Sequence, residues 1–500
     1  YWEWENEEAS SHPGRWNTGL VRYTNETGTL DHQGYDDADY FSVSYGGSMW
    51  NGTTHINPSW GSYPTFYSGE RVAIAIDCSN GKTWVGKVAS GGGTTWYDDD
   101  GTTDGDPAGG TNETCTITGF TTGRWIPYIG WHDGGGAVTD AFTSNINFGN
   151  HSFLGTPPTG FDKLCTANLP DPTIVKSSEY FKAGIYAGDS SAQTFTDVGF
   201  QPDKIVVKVR DRANKPFVVV DSVRGINDGV DPGTPWIAYN SQNQESTQGG
   251  RVTAVSSTGF TIGTDSDVNG SGYNFVYWAW KESATAGFDI VSYTGDGNSN
   301  RTVSHSLGVA PELMHIKRRD GANDIWVTQN KTIDADENLF ISSSDDDENT
   351  QDYWDSTRPT SSVFTVSNGA SVNNNGDKYI AYLWASVPGF SKVGTYSGND
   401  SNDGRFLHLG FRPAFFIVKN TNDNEHWAIY DDARGYNGNM PYMVPSGYNN
   451  GVEVSDVELD FVSNGIKFRQ GHNRTNYSEG GSAYIYLAIA SNPFKYANAR

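Results

Sequence analysis

The sequence predicts an all-β protein built as tandem antiparallel β-sandwiches, and three observations predict it. Its 500 residues include 59 glycines, abundant Asn, Asp, Ser and Thr, and 13% aromatics, a composition of many short strands joined by polar turns. No stretch carries a capped amphipathic-helix pattern of any length. The third observation is a turn-plus-strand phrase that occurs three times: Val198-Gly-Phe-Gln-Pro-Asp-Lys-Ile-Val-Val-Lys208, Leu307-Gly-Val-Ala-Pro-Glu-Leu-Met-His-Ile-Lys317 and Leu409-Gly-Phe-Arg-Pro-Ala-Phe-Phe-Ile-Val-Lys419. In each, a glycine able to take the positive φ of a tight turn precedes a proline, which lacks a backbone donor and so belongs where a strand begins. The run that follows reads as a short strand, apolar on both faces, closed by a lysine.

Taken in order, residues 1–165 do not carry the repeat. Phe41-Ser-Val-Ser-Tyr45, Arg71-Val-Ala-Ile-Ala-Ile-Asp77, Thr83-Trp-Val-Gly-Lys87 and Trp125-Ile-Pro-Tyr-Ile129 are strand candidates, with Ser79-Asn-Gly81 turning the middle pair into a hairpin. Leu164-Cys-Thr-Ala-Asn-Leu-Pro-Asp-Pro172 then reads as a short stiff linker, 166–173. The repeats follow as 174–285, 286–387 and 388–495. Each opens on Tyr-x-Gly-(Asp/Asn): Tyr186 to Asp189, Tyr293 to Asp296, Tyr396 to Asn399. Each continues through the Gly-x-x-Pro strand to an aromatic-led run (Phe217, Trp326, Trp427) and ends in a tyrosine-rich strand (Tyr273 to Tyr277, Tyr379 to Tyr382, Tyr484 to Tyr486). Successive copies lie about 100 residues apart, the size of one sandwich domain and far longer than a solenoid repeat.

Charge and residue usage exclude several functions. Lys and Arg number 34 against 59 acids, a net charge of −25, which opposes a nucleic-acid partner. No apolar run is long enough to span a bilayer as a helix. The chain begins in the alternating Tyr1-Trp-Glu-Trp4 without a methionine or signal peptide, so residues upstream, including an anchor, are expected. Three cysteines, Cys78, Cys115 and Cys165, do not make a disulfide framework; buried free thiols are favoured over a Cys78–Cys115 bridge. The sequons at Asn25, Asn112, Asn300 and Asn473 match what chance gives in so polar a chain.

Catalytic spacings are missing: no Gly-x-Ser-x-Gly, His-Glu-x-x-His, phosphate-cradling loop or Cys-x-x-Cys occurs. No catalytic residue, cofactor or metal is assigned. Paired carboxylates of a glycosidase could hide among 59 acids, which leaves a polysaccharide-degrading enzyme as an alternative. Acidic runs at Asp98–Asp104, Asp345–Glu348 and Asp400–Asp403 lack the spacing of a calcium loop and read as solvated turns. Carbohydrate binding suits loops that mix aromatic faces with carboxylates. Trp96-Tyr97-Asp98, Trp131-His132-Asp133 and Trp60-Gly-Ser-Tyr63 fit, and Trp131-His132-Asp133, followed by three glycines, is the first choice; capping of a sandwich core is the competing role for each. Lys208, Lys317 and Lys419 read as strand-closing lysines that send their ammonium groups to water or guard a sheet edge. Asp221 with Arg224 reads as a pair pinning a turn.

Several phrases also resemble known proteins. Glu70-Arg-Val-Ala-Ile-Ala-Ile-Asp-Cys-Ser-Asn-Gly-Lys-Thr-Trp-Val-Gly-Lys87, with Gly105-Asp-Pro-Ala-Gly-Gly-Thr-Asn112, Asn147-Phe-Gly-Asn150 and Pro157-Pro-Thr-Gly-Phe161, resembles the SPRY-like module of virion proteins of tailed bacteriophages. The joint at 164–172 and the phrase Val220-Asp-Ser-Val-Arg-Gly225 are similar to the β-rich repeats that follow that module in tail-fibre-type proteins. The third repeat has Tyr430-Asp-Asp-Ala-Arg-Gly435, and the second has Thr328-Gln-Asn-Lys331 in its place. The resemblance implies a concanavalin-like jelly roll over 1–165 followed by three related sandwiches. It implies a non-enzymatic tail fibre, capsid fibre or decoration protein on the virion surface, extracellular and homo-oligomeric, such as a trimer. Its partners would be other virion proteins and host-surface glycans, without membrane insertion. A secreted cellular adhesin or filament subunit is the alternative of another class.

Overall fold

The computed structural model describes residues 1–6, 16–23, 40–44, 49–51, 54–55, 70–117, 120, 124–131, 144–149, 151–164, 168, 171–226, 233–247, 249–321, 324–341, 351–435, 438–445, 451–455, 458–478 and 483–496. The chain is all-β, with antiparallel sheets throughout, and divides into two compact units, 1–170 and 171–500.

In the first unit, β1 (Trp2–Asn6), β6 (Arg71–Asp77), β7 (Lys82–Val88), β8 (Thr94–Tyr97), β9 (Cys115–Thr116) and β11 (Ser144–Asn147) form one sheet in the order β11-β1-β6-β7-β8, with β9 also on β7. Strands β2 (Trp16–Tyr23), β3 (Tyr40–Ser44), β4 (Met49–Asn51), β5 (Thr54–His55) and β10 (Arg124–Trp131) form the other, ordered β10-β2-β3-β4-β5. Side chains alternate across a strand, so Trp2, Trp4, Val72, Ile74 and Val85 meet Leu20, Phe41, Val43 and Met49 between the sheets. The β6–β7 hairpin turns at Gly81, whose φ is +73°. The outer face of the first sheet, with Ala73, Ala75 and Trp84, is covered by Phe153, Leu154 and Phe161. The buried Glu3 carboxylate holds that cover: it accepts from the backbone N–H of Leu154 at 2.9 Å and Gly155 at 2.8 Å and pairs with Arg71 at 3.1 Å.

In the second unit one pattern is built three times. Module 1 has β12 (Phe181–Ala187), β13 (Gln193–Phe195), β14 (Lys204–Val209), β15 (Val218–Asp221), β16 (Ile237–Ala238), β17 (Val252–Ser256), β18 (Gly259–Ile262) and β19 (Asn274–Trp280). Module 2 has β20 (Phe288–Thr294), β21 (Arg301–Ser304), β22 (Leu313–Arg318), β23 (Trp326–Asn330), β24 (Leu339–Phe340), β25 (Val363–Val366) and β26 (Lys378–Trp384). Module 3 has β27 (Ser391–Ser397), β28 (Phe406–His408), β29 (Phe411–Asn420), β30 (Ala428–Asp431), β31 (Tyr442–Met443), β32 (Leu459–Val462), β33 (Gly465–Phe468) and β34 (Ala483–Pro493). The large sheets are ordered β12-β19-β14-β15-β16, β20-β26-β22-β23-β24 and β27-β34-β29-β30-β31, and each packs on a smaller sheet of its own module. The repeated glycines Gly199, Gly308 and Gly410 have φ of +88°, +73° and +83°. The prolines stand just before β14 and β22, and in module 3 the register shifts around Pro413.

The central strands are apolar on both faces for a definite reason. Ile205, Val207 and Val209 of β14 face the module's own small sheet, and Met314 and Ile316 of β22 do the same. The alternate residues face a core common to all three modules, where Val206, Trp278 and Trp280 meet Leu313, Trp326 and Trp384, and Phe415, Ile417 and Trp427. The three sandwiches therefore do not follow one another as a row of independent domains, which is what the repeat spacing alone suggests. They close into a ring.

The contacts between modules repeat in one direction around that ring. Trp326 Nε1 of module 2 donates to the Ala238 carbonyl of module 1 at 2.8 Å, and Trp427 Nε1 of module 3 to the Phe340 carbonyl of module 2 at 3.2 Å. Arg319 of module 2 grips Glu245 of module 1 at 2.9 and 3.0 Å, while Arg210 of module 1 grips Glu453 of module 3 at 2.8 and 2.9 Å. Both glutamates also donate their backbone N–H to the arginine's own carbonyl at 2.8 Å.

Candidate functional site

The Tyr-x-Gly-(Asp/Asn) phrase forms the same loop in each module, and three buried pins hold it. Tyr186, Tyr293 and Tyr396 donate their hydroxyls to the carbonyls of Val268, Val372 and Thr475. The next residue along each of those turns is an asparagine buried to 0% exposure: Asn269, Asn373 and Asn476. Its amide oxygen accepts from the backbone N–H of Asp189, Asp296 or Asn399 at 3.0–3.1 Å. Its amide nitrogen donates to the loop carbonyl of Ser191 or Ser401, or of Asn298 at 2.8 Å. The third pin is the glycine. A Cβ on Gly188, Gly295 or Gly398 would lie 2.3, 2.0 or 2.0 Å from a backbone carbonyl oxygen of that same turn. These asparagines carry no motif a single repeat would reveal. The alignable sign was Asn at the end of Asp267-Val-Asn269, Ser371-Val-Asn373 and Arg474-Thr-Asn476.

The loop tips are polar and exposed: Asp189, Ser190 and Ser191; Asp296, Asn298 and Asn300; Asn399, Asp400 and Asn402. Ser190, Asn300 and Asp400 sit at φ of +63°, +55° and +51°. Carboxylates, amides and hydroxyls of this kind exchange hydrogen bonds with the hydroxyls of a polyol or a glycan. Phe406, 42% exposed, stands edge-on to His408 at 6.3 Å on the strand that follows the third loop.

The sugar-site candidates of the first unit fare differently. Trp96 and Tyr97 are neighbours on β8 and so point to opposite faces: Tyr97 is buried in the inter-sheet core, and Trp96 packs on the outer face, 6.3 Å from Tyr1. They form no common platform. Trp131 ends β10, while His132, Asp133 and the stretch from Trp60 to Tyr63 lie outside the described residues. The acidic run at Asp98–Asp104 is closed on itself, with the Thr102 hydroxyl on Asp98 at 2.8 Å and on Asp104 at 2.7 Å. Asp345–Glu348 lies outside the described residues, and Asp403 pairs with Lys467 at 2.6 Å. Among the described residues no group of His, Cys, Asp and Glu is placed to hold a metal ion, and Cys78 and Cys115 are free thiols, Cys115 buried but Cys78 exposed, against the expectation that both are buried. Cys165 lies outside them.

Lys208, Lys317 and Lys419 correct an expectation, since all three are buried to 0% exposure. Their ammonium groups cap carbonyls of the loop beyond their strand: Lys208 on Lys215 at 3.0 Å, Lys317 on Asp324 at 2.5 Å and on Gln242 of module 1 at 3.1 Å, Lys419 on Asn420 at 2.6 Å and Asp423 at 3.2 Å. A carbonyl turned inward needs donors that water cannot supply, and the inward ammonium provides one, which favours it over a solvated lysine. Burial pushes Lys208 and Lys317 down to about 8. Between pH 8 and 10 the unfolded chain then holds a proton that the folded chain has released, so stability rises with pH in that window. Relative to Lys317→Met, whose site does not titrate, the wild type is expected to gain about 1–2 kcal/mol from pH 8 to pH 10. Denaturant titrations at the two pH values check this; a falling difference contradicts it.

Electrostatics concentrate where modules meet. Asp221 and Arg224, both buried, pair at 2.6 Å, and Asp431 and Arg434 repeat the arrangement at 2.6 Å. Each aspartate also accepts from a neighbouring module: Asp221 from the Tyr382 hydroxyl at 2.7 Å, Asp431 from Trp278 Nε1 at 2.9 Å. In module 2 the corresponding residues are Asn330 and Ile333, and module 3 offers Leu487 at the donor's place. Carboxylate and donor have disappeared together. At the passage from module 1 to module 2, burial and then the neighbouring Asp289 carboxylate raise Glu282 to about 7. The Ile290 backbone N–H donates to both, so the pair is fixed within the fold.

The family model described as Domain of unknown function (DUF7483) matches residues 176–493, and the chain belongs to that family. The match spans the three modules. No curated protein matches the chain, and among the described residues no helix is long and apolar enough to cross a membrane.

Proposed function

We propose that this member of the DUF7483 family is a non-enzymatic structural and attachment protein of a phage particle, carried on the virion surface as a tail fibre, capsid fibre or decoration. Its module ring would present three like loops to host-surface glycans. The observation that supports the reading is the loop built three times on the same buried tyrosine, glycine and asparagine. Three weak sites held at fixed spacing gain avidity from effective concentration, and tips rich in Asp, Asn and Ser suit hydroxylated ligands. The reading does not need an extended row of separate sandwiches; a closed ring carries the three loops on one compact unit. Resemblance of the first unit to the SPRY-like module of phage virion proteins supports the location. Self-association and contacts with other virion proteins belong to the same proposal.

The test is to label the chain on purified particles by immuno-electron microscopy and to measure binding of the isolated protein to host-surface polysaccharide. Labelling at a fixed particle site together with saturable binding is expected. Particles that carry no label, with the protein found instead in cell-surface filaments, would favour a secreted adhesin. New reducing ends released from the polysaccharide would favour the enzyme.

A further inference from the structure

The repeats allow each core position to be compared with its two counterparts in the same chain. Opposite Trp278, Tyr382 and Leu487 stand Val206, His315 and Ile417; opposite Trp280, Trp384 and Ile489 stand Lys204, Leu313 and Phe415. At both positions two modules use an apolar side chain and the third an ionisable one. The fold therefore does not require an ionisable group at either place. Both exceptions face the common core, and both are buried, Lys204 at 1% exposure and His315 at 2%.

His315 touches all three modules. Its ring lies edge-on to Tyr239 of module 1 at 6.0 Å, Trp384 of its own module at 5.0 Å and Trp427 of module 3 at 6.1 Å. Among the described residues, neither ring nitrogen has a hydrogen-bond partner. Lys204 donates to the Tyr239 hydroxyl at 2.6 Å and lies over the rings of Tyr382, Trp384 and Trp280 at 4.1–4.6 Å. Lys204 and His315 line the same cavity of about 20 Å³, which module 3 closes with Phe415, Ile417, Ile429 and Leu487. Among the described residues, module 3 lines this cavity with apolar side chains alone. The carboxylate paired across from Lys204 is Asp221, already bonded to Arg224 and Tyr382.

We propose that His315, set beside Lys204 where the three modules meet, makes closure of the ring acid-labile. Protonation puts a second cation into an aromatic junction with no acceptor for it, and the modules separate, exposing the tryptophan-rich faces. Burial and the Lys204 charge hold the imidazole well below its ordinary 6.5, and burial lowers Lys204 in the same direction. The open form thus binds a proton that the closed form refuses, and the closed-to-open ratio falls by up to tenfold for each pH unit below about 6.5. Glu282 acts with the opposite sign, since its raised pKa favours the closed form on acidification. A comparison at constant Glu282 isolates the histidine.

The experiment follows the full chain from pH 7.5 to 4.5 by small-angle scattering, binding of an apolar dye and far-ultraviolet circular dichroism. For the wild type, the radius and dye binding should rise while strand content persists. His315→Val, which installs the counterpart from module 1, should move that transition down by at least one pH unit. A transition at the same pH in both proteins overturns the proposal. If the variant does not fold, hydrogen–deuterium exchange at the His315 ring carbon in the wild type decides: a pKa far below 6.5 in the closed ring supports acid opening, and one near 6.5 excludes it.

Discussion

Asp431→Ala is expected to lower the stability of the 171–500 unit by about 3–5 kcal/mol, the usual cost of breaking a buried ion pair by removing one partner. The carboxylate accepts four bonds. Two come from the backbone N–H groups of Ala433 and Arg434, one from the Arg434 side chain at 2.6 Å and one from Trp278 Nε1 of module 1 at 2.9 Å. Its loss leaves the Arg434 side chain, 0% exposed, holding the Ile429 carbonyl at 2.8 Å with its charge uncompensated at that end. Glu453 is 3.6 Å away and already engaged by Arg210. Module 2 suggests the repair. It fills the same corner with Asn330 and Ile333, without a buried charge pair, so Asp431→Asn combined with Arg434→Ile should lose less than Asp431→Ala alone. Urea unfolding measures both. A loss below 1 kcal/mol for the single substitution would mean that this corner does not hold modules 1 and 3 together.

Much of the single-module fold was legible because its determinants are local. Gly199, Gly308 and Gly410 could be assigned to turns from their spacing to a proline, and the three positive φ angles follow from that chemistry. The β6–β7 hairpin was equally plain from Asn80-Gly81 between two apolar runs. What stayed hidden depends on partners distant in sequence. A strand such as Lys204–Val209, apolar on both faces, states that both sides are covered but not by what; the second cover is another repeat. The lysine at its end looks the same whether it reaches water or a loop carbonyl, and only the fold of 210–216 decides. Trp96 and Tyr97 looked like one aromatic cluster, yet adjacent residues on a strand diverge. The asparagine pins were missed because asparagine is common in this chain, and its meaning appears only once three copies are superposed.

Asn373→Ala is expected to cost about 2–4 kcal/mol, with the damage confined first to the loop at 296–300. The side-chain amide makes four bonds: it donates to Asp296 Oδ1 at 3.0 Å and the Asn298 carbonyl at 2.8 Å, and accepts from the Asp296 backbone N–H at 3.0 Å and Arg301 at 2.8 Å. A buried polar group left unsatisfied costs about 1–3 kcal/mol, and the exposed side of the loop can recover some of this from water. Asn373→Asp separates the two contributions. It keeps the acceptor for Asp296 N–H and Arg301 but turns the donor toward the Asp296 carboxylate into a second carboxylate. At neutral pH it should therefore destabilise at least as much as alanine, and the deficit should shrink as the pH falls through the carboxylate range. Hydrogen exchange of the 296–300 amides, with urea unfolding of the unit, reads both effects. If the alanine variant keeps native exchange in that loop, the asparagine is not its pin, and the loops at Asp189 and Asn399 cannot be argued to owe their shape to Asn269 and Asn476. If protection is lost there while β20 and β26 keep theirs, the loop is a separately held element, as the proposed attachment role requires.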